Sequence, residues 1–166
     1  MKLENLQKDF TNRIKDLGNM NYWDRLDKLK LLSVSRRFER YKIIYTRKIL
    51  NGDVPNCGLS WDHNENKGIK FKINYSPNRA SDSVKSIRIN SFQVQGPTLF
   101  NTLPRQLRDS DVSAENWKSE LDKYLEQIPD KPFVTGMDSD LCDRYSTQPT
   151  NSILEWNAFL VRHKNT

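Results

Sequence analysis

The sequence predicts an α+β fold that is predominantly helical: an N-terminal unit of three helices, a small antiparallel strand pair and a C-terminal helix. Three observations predict it. Apolar residues recur every three or four positions over residues 3–50 and again over 117–128, the period of a helix with one buried face. Between them, Lys70-Phe71-Lys72-Ile73-Asn74-Tyr75 alternates strictly, as a half-buried strand does. Only 36% of the 166 residues are apolar, which allows a modest core and no large two-lobed body.

The elements follow in order. Leu3, Leu6, Phe10, Ile14 and Leu17 mark a first amphipathic helix, with Gly18-Asn19 as its stop signal. Asn21 is placed to cap a short second helix carrying Trp23, Leu26 and Leu29, with Asp24 in its first turn. Ser33 or Ser35 caps a third helix that runs to Leu50 and stops at Asn51-Gly52. Asp53 to Gly68 is polar and contains Pro55 and Gly58, so a connecting loop is expected. After the strand at 70–75, Ile87, Ile89, Phe92 and Val94 suggest a second strand whose alternation slips at Asn90-Ser91. Pro97 and Pro104 are suited to open helical turns over Thr98–Leu103 and Arg105–Arg108. Ser113 caps a helix bearing Trp117, Leu121, Tyr124, Leu125 and Ile128 on one face, ended by Pro129. Residues 130–150 are irregular and acidic, and a last apolar segment runs from Ile153 to Val161. Composition divides the chain into a basic helical unit (1–52), a strand pair with a helix (53–128) and an acidic tail (129–166).

Charge is unevenly spread. Residues 1–52 carry 13 Lys/Arg against 6 Asp/Glu, residues 53–108 carry 8 against 4, and residues 109–166 carry 6 against 11. A basic front and an acidic end point to a polyanionic partner or to the protein's own tail as the counter-charge. On the third helix, Val34, Phe38, Tyr41, Tyr45 and Ile49 fall in one stripe, the expected core face, while Arg36, Arg40 and Arg47 form a row opposite. Arg37, Lys42 and Lys48 widen the cationic rim, and Lys70, Lys72, Arg79, Lys85 and Arg88 decorate the two expected strands. Arginine forks suit phosphate geometry. The expected nucleic-acid contacts are therefore Arg36, Arg37, Arg40, Lys42, Arg47, Lys48, Lys70, Lys72 and Arg88. The arginine row suits equally a structural pairing with acids of the same chain. Phe71 and Tyr75 between lysines fit either a base-stacking surface or a strand with one buried face.

Other chemistry is weakly supported. Cys57, His63, Cys142 and His163 number a zinc set but match no paired-knuckle spacing, and two cysteines make no disulfide scaffold. Glu65-Asn66-Lys67 resembles the end of a nuclease metal site without the accompanying acid, and Asp138, Asp140 and Asp143 lack the glycine and distal Glu of a calcium loop. There is no glycine-rich phosphate loop or nucleophile elbow, and no apolar run long enough for a bilayer. The expectation is a non-enzyme without a cofactor or metal, with no membrane partner, in the cytoplasm or nucleus.

One set of motifs resembles a known family. Leu29 to Gly52 looks like the segment after the polymerase palm in non-LTR retrotransposon reverse transcriptases, and Leu6 to Ile14 is similar to the stretch just before it. Ser91-Phe92, then Gly96-Pro97-Thr98-Leu99-Phe100-Asn101-Thr102-Leu103-Pro104 and Leu107-Arg108, resembles that family's C-terminal signature, with Phe100 where many members place Trp. Trp117-Lys118 and Leu121 to Leu125 match the following helix, and Asn151 to Leu154 resembles a common ending. The resemblance implies a module that grips RNA or DNA, the thumb and C-terminal region of such an enzyme. The fingers and palm would then lie before Met1, making this chain non-catalytic, with RNA or DNA backbone and a separate reverse-transcriptase polypeptide as implied partners. The other reading is a protein-interaction or scaffold domain whose basic helix is covered by its own acidic C-terminal segment.

Overall fold

Capping chemistry sets where the helices begin. Asn21 accepts a hydrogen bond from the Asp24 amide at 3.0 Å, Ser33 from the Arg36 amide at 3.0 Å, and Ser113 from the Asn116 amide at 3.4 Å, each satisfying an amide that the first helical turn leaves unpaired. The structure, a computed structural model, describes residues 2–73, 82–131 and 152–163. Among them are the helices α1 (Lys2–Asn12), α2 (Tyr22–Leu29) and α3 (Val34–Leu50), the strands β1 (Ser60–Asn64) and β2 (Gly68–Lys72), and the helices α4 (Asp82–Ile89), α5 (Phe92–Thr102), α6 (Arg105–Arg108), α7 (Ala114–Glu126) and α8 (Ile153–His163). The fold is α+β and predominantly helical, as expected, with one two-stranded antiparallel sheet among the described residues. The chain forms two compact units, Met1–Phe38 with Ile128–Thr166, and Glu39–Gln127. Composition changes at 52 and 128; the units part within α3 and just after α7.

The first unit is held by buried polar groups as much as by Leu17, Tyr22, Leu26, Ile128 and Ile153. Arg25 is buried, and its guanidinium donates to Thr11 Oγ1 at 3.3 Å, Asn12 Oδ1 at 3.1 Å and the Met20 carbonyl at 2.6 Å, tying α2 to the end of α1. Glu4 accepts from the Tyr22 hydroxyl and from the amides of Val34 and Ser35 at 3.3 and 3.2 Å, placing a carboxylate at the positive end of α3. Burial first, then the bond to Glu4, push the Tyr22 hydroxyl well above its ordinary pKa. At the far end of this unit, Ser152 and Glu155 form a reciprocal capping box at 3.1 Å each way, starting α8.

The second unit is built around a hairpin clasped by helices. In β1–β2, Trp61 faces Phe71 and Asp62 faces Lys70 across the ladder. The turn is an Asx turn, in which Asn64 Oδ1 accepts from the amides of Asn66 and Lys67. Gly68 follows with φ +69°, and a Cβ there would lie 2.3 Å from Asp109 Oδ2, so both conformation and space require glycine. Asp109 also accepts from the Ile69 amide at 2.7 Å and from Arg105 Nε at 3.0 Å. Asn101 on α5 pairs with both backbone groups of Phe71, at 2.8 and 2.9 Å, as a third strand would. Phe71 and Phe100 meet edge to face beneath, both buried. Gly96 lets α5 approach α3 closely, since a Cβ would fall 2.6 Å from Thr46 Oγ1.

Several sequence expectations differ from this arrangement. The first helix ends at Asn12, not Leu17; residues 13–20 form turns with Asp16 at φ +66°. The expected loop over 53–68 contains β1, which periodicity misses because only Trp61 of its five residues is turned inward. The expected second strand around Ile87–Val94 is instead the end of α4 and the start of α5. Its alternation is real but idle, for Ile87 and Ile89 are both exposed. The strand expected over 70–75 is β2, ending at Lys72, and Asn74 and Tyr75 lie outside the described residues.

Candidate nucleic-acid interface

α3 is a 17-residue helix closed at its C-terminus by a Schellman pair: the Gly52 amide donates to the Ile49 carbonyl at 3.2 Å, and the Asp53 amide to the Lys48 carbonyl at 2.9 Å. Its two faces are the reverse of the amphipathic expectation. Tyr41 and Tyr45, expected in the core, are 60% and 44% exposed, and Phe38 is exposed as well. Of the expected core stripe only Ile49 is buried. The inward face is made by Ile43, Thr46, Ile49 and the arginine row. The physical reason is that each arginine has a partner remote in sequence.

Arg36 is 1% exposed in the first unit; its Nε meets Asp130 Oδ1 at 3.3 Å and its Nη2 donates to the Pro129 carbonyl at 3.2 Å. Asp130 also accepts from the Ser33 amide at 2.7 Å and hydroxyl at 2.9 Å, so one carboxylate binds both the cap and the arginine behind it. In the second unit Arg40 forms a bidentate pair with Asp122, its Nη2 at 2.8 Å from Oδ2, and that bond holds its pKa above the ordinary value. Arg47 is 6% exposed, donates to the Ser110 carbonyl at 2.6 Å, and lies 4.5 Å over the Trp117 ring. Burial lowers its pKa, against the pull of Asp111, Glu120 and Asp53. Arg36 and Arg47 thus have no surface to offer a phosphate, and the acids that satisfy Arg36 and Arg40 are Asp130 and Asp122. Asp138, Asp140, Cys142 and Asp143 lie outside the described residues.

The remaining expected contacts divide. Lys42 is half-buried and donates to Gln95 Oε1; Arg37 is exposed and donates to Gln7 Oε1. Lys72 pairs with Asp62 at 2.9 Å on the outer hairpin face, where Lys70 is exposed. Lys48, Lys70 and Arg88 are exposed with no side-chain partner among the described residues. The structure therefore does not gather the nine cations into one patch. Within the second unit it does place Tyr41, Tyr45 and Lys48 along one outward ridge of α3, at spacings of four and three residues. Beside that ridge Tyr45 meets Phe92 edge to face, 5.2 Å between centroids. Arg88 lies at the end of α4, and its carbonyl accepts from the hydroxyl of Ser91, the residue before α5, at 2.7 Å. Phe71 is not a base-stacking residue; it is buried against Phe100.

Sequence reasoning missed the exposed tyrosine ridge and the buried Arg25. The signal for the first was present in Ile43, Ile44 and Leu50 flanking the arginines, which gave the helix a second apolar stripe. Glu65 and Lys67 are exposed, and their carbonyls accept from Arg105 and Arg108. Among the described residues no three His, Cys, Asp or Glu side chains are grouped to hold a metal ion, and no helix is long and apolar enough to cross a membrane.

No family model, curated protein or solved structure matches this chain.

Proposed function

We propose that this chain is a non-catalytic nucleic-acid-binding module of the kind that follows the palm in non-LTR retrotransposon reverse transcriptases. The observation that carries the reading is the outward ridge of α3, where two exposed tyrosines share a face with Lys48. Cations meet phosphates, and rings meet bases or sugars, without a sequence-specific code. Binding is thus weak, largely indifferent to sequence and dependent on salt. The motifs that resemble the family's signature act in support: Gly96, Phe100 and Asn101 hold the hairpin and α3 together rather than reaching a ligand.

Titrating labelled RNA and labelled duplex DNA with the full chain by fluorescence anisotropy, over a series of salt concentrations, tests this. The expected outcome is a log-linear fall of affinity with salt. Absence of binding to either at low salt would remove the reading. A second reading, a protein-interaction domain whose basic helix is covered by its own acids, is favoured by the Arg36–Asp130 and Arg40–Asp122 pairs, and gains if that absence is found.

A further inference from the structure

Resting on the reading above, we infer that Tyr41 and Tyr45 form a stacking platform for unpaired bases, so that the occupant of the α3 ridge is a single-stranded nucleic acid and not a duplex. Tyr41 and Tyr45, 60% and 44% exposed, place two aromatic rings side by side on the surface of α3. Neither hydroxyl has a hydrogen-bond partner among the described residues, so the rings are not held outward by a polar tether. What they offer is aromatic surface, that of Tyr45 already shared with Phe92. In a duplex the faces of the bases are covered by their neighbours, and only edges and backbone are open to a protein. In a single strand each base has a face to give, and stacking on an aromatic side chain tolerates any sequence.

Spacing points the same way. Side chains four apart on a helix have Cβ atoms about 5–6 Å apart, wider than the step of about 3.4 Å between stacked bases along one strand of a duplex. Two rings so placed can each take a base only from a strand whose bases have come apart. Charge completes the match: Lys48 lies one turn beyond Tyr45 on the same ridge. Lys48 is exposed and without an ion-pair partner among the described residues, so it is available to the backbone of a strand whose bases lie on the tyrosines.

The test uses the full chain and four labelled probes of equal length: oligo(U), oligo(dT), and RNA and DNA duplexes. Each is titrated at one low salt concentration with the parent, a Tyr41→Leu/Tyr45→Leu variant and a Tyr41→Phe/Tyr45→Phe variant. Circular-dichroism melts run alongside, since both positions are exposed and folding should survive. The parent should bind one or both single strands at least about tenfold more tightly than the duplexes. The Leu pair should lose about tenfold or more on the single strand, and the Phe pair should retain binding. Tighter binding of oligo(U) or of oligo(dT) would say whether the strand is RNA or DNA, and either supports the inference. Duplex binding equal to single-strand binding, or a Leu pair that binds single strands like the parent, overturns this inference and leaves the broader reading standing. Binding to none of the four overturns both.

Discussion

The two faces of α3 do the opposite of what their residue types suggest: the arginines face inward and the tyrosines outward. Facing inward, Arg36, Arg40 and Arg47 bond to Asp130, Asp122 and the carbonyls of Leu107 and Ser110. Facing outward, Tyr41 and Tyr45 are aromatic and exposed, with Lys48 beside them. A helical wheel assigns the aromatics to the core because it weighs hydrophobicity alone. Burial of an arginine depends on whether a carboxylate or a carbonyl awaits it, and those partners come from about 60 to 94 positions away. A row of arginines on a helix therefore does not point to a polyanion until its counter-charges are located.

The contrast breaks most visibly at Asp130. Replacing it with Ala leaves Arg36 buried without its carboxylate and removes both bonds to the Ser33 cap. The expected loss is about 3–5 kcal/mol in urea unfolding; a loss below ~1 kcal/mol would show that Arg36 is not structurally committed. Asp122→Ala should cost less, about 1–2 kcal/mol, because the Arg40 pair is partly open to solvent. Near-neutrality of that variant would class Arg40 with the outward cations. Tyr41→Ala should leave stability within about 0.5 kcal/mol of the parent, as exposed positions do, and Tyr45→Ala should cost about 0.5–1.5 kcal/mol through its edge-to-face contact with Phe92. A larger loss in thermal melts would mean that the ridge supports the fold.

A second charged cluster sharpens the same distinction through pH. Burial raises the pKa of Asp109, but the Ile69 amide, then Arg105 and Arg108, outweigh it and hold the carboxyl below its ordinary 3.8. A depressed folded-state pKa adds stability that is complete above the unfolded value and is lost as pH falls through the folded one. Stability attributable to Asp109 should therefore be full above about pH 4 and fade below it. In Asp109→Asn the acid limb of a stability-against-pH curve should be shallower; an unchanged limb would remove the carboxylate from the hairpin clasp.

Much of the fold is legible in the sequence because its signals are local. Asn21, Ser33 and Ser113 cap the helices they mark, and Asn51-Gly52 closes α3 as expected. The hairpin is only half legible: β2 alternates, whereas β1 is held by its backbone pairing to β2, and Asn101, Arg108 and Asp109 clasp β2 and the turn, so nothing leaves an apolar pattern in Ser60–Asn64. Ile87 to Val94 misleads because two exposed isoleucines mimic alternation. The candidate site is least legible. Lys48 and Arg88 are among the cations that charge singles out, but the exposure of Tyr41 and Tyr45 follows from long-range pairing of the opposite face.

The most direct test of the division between faces is the salt dependence of nucleic-acid affinity in two paired variants. Lys48→Ala/Arg88→Ala removes two outward cations. Arg40→Met/Asp122→Met removes an inward cation with its counter-ion, so that no buried charge is left unpaired. On labelled oligo(U), the slope of log affinity against log salt should flatten by roughly 1.4 units in the first variant and stay at the parent value in the second. A flattened slope in the Arg40 variant with an unchanged slope in the Lys48 variant would contradict the account, and would return the arginine row to the role of phosphate contact.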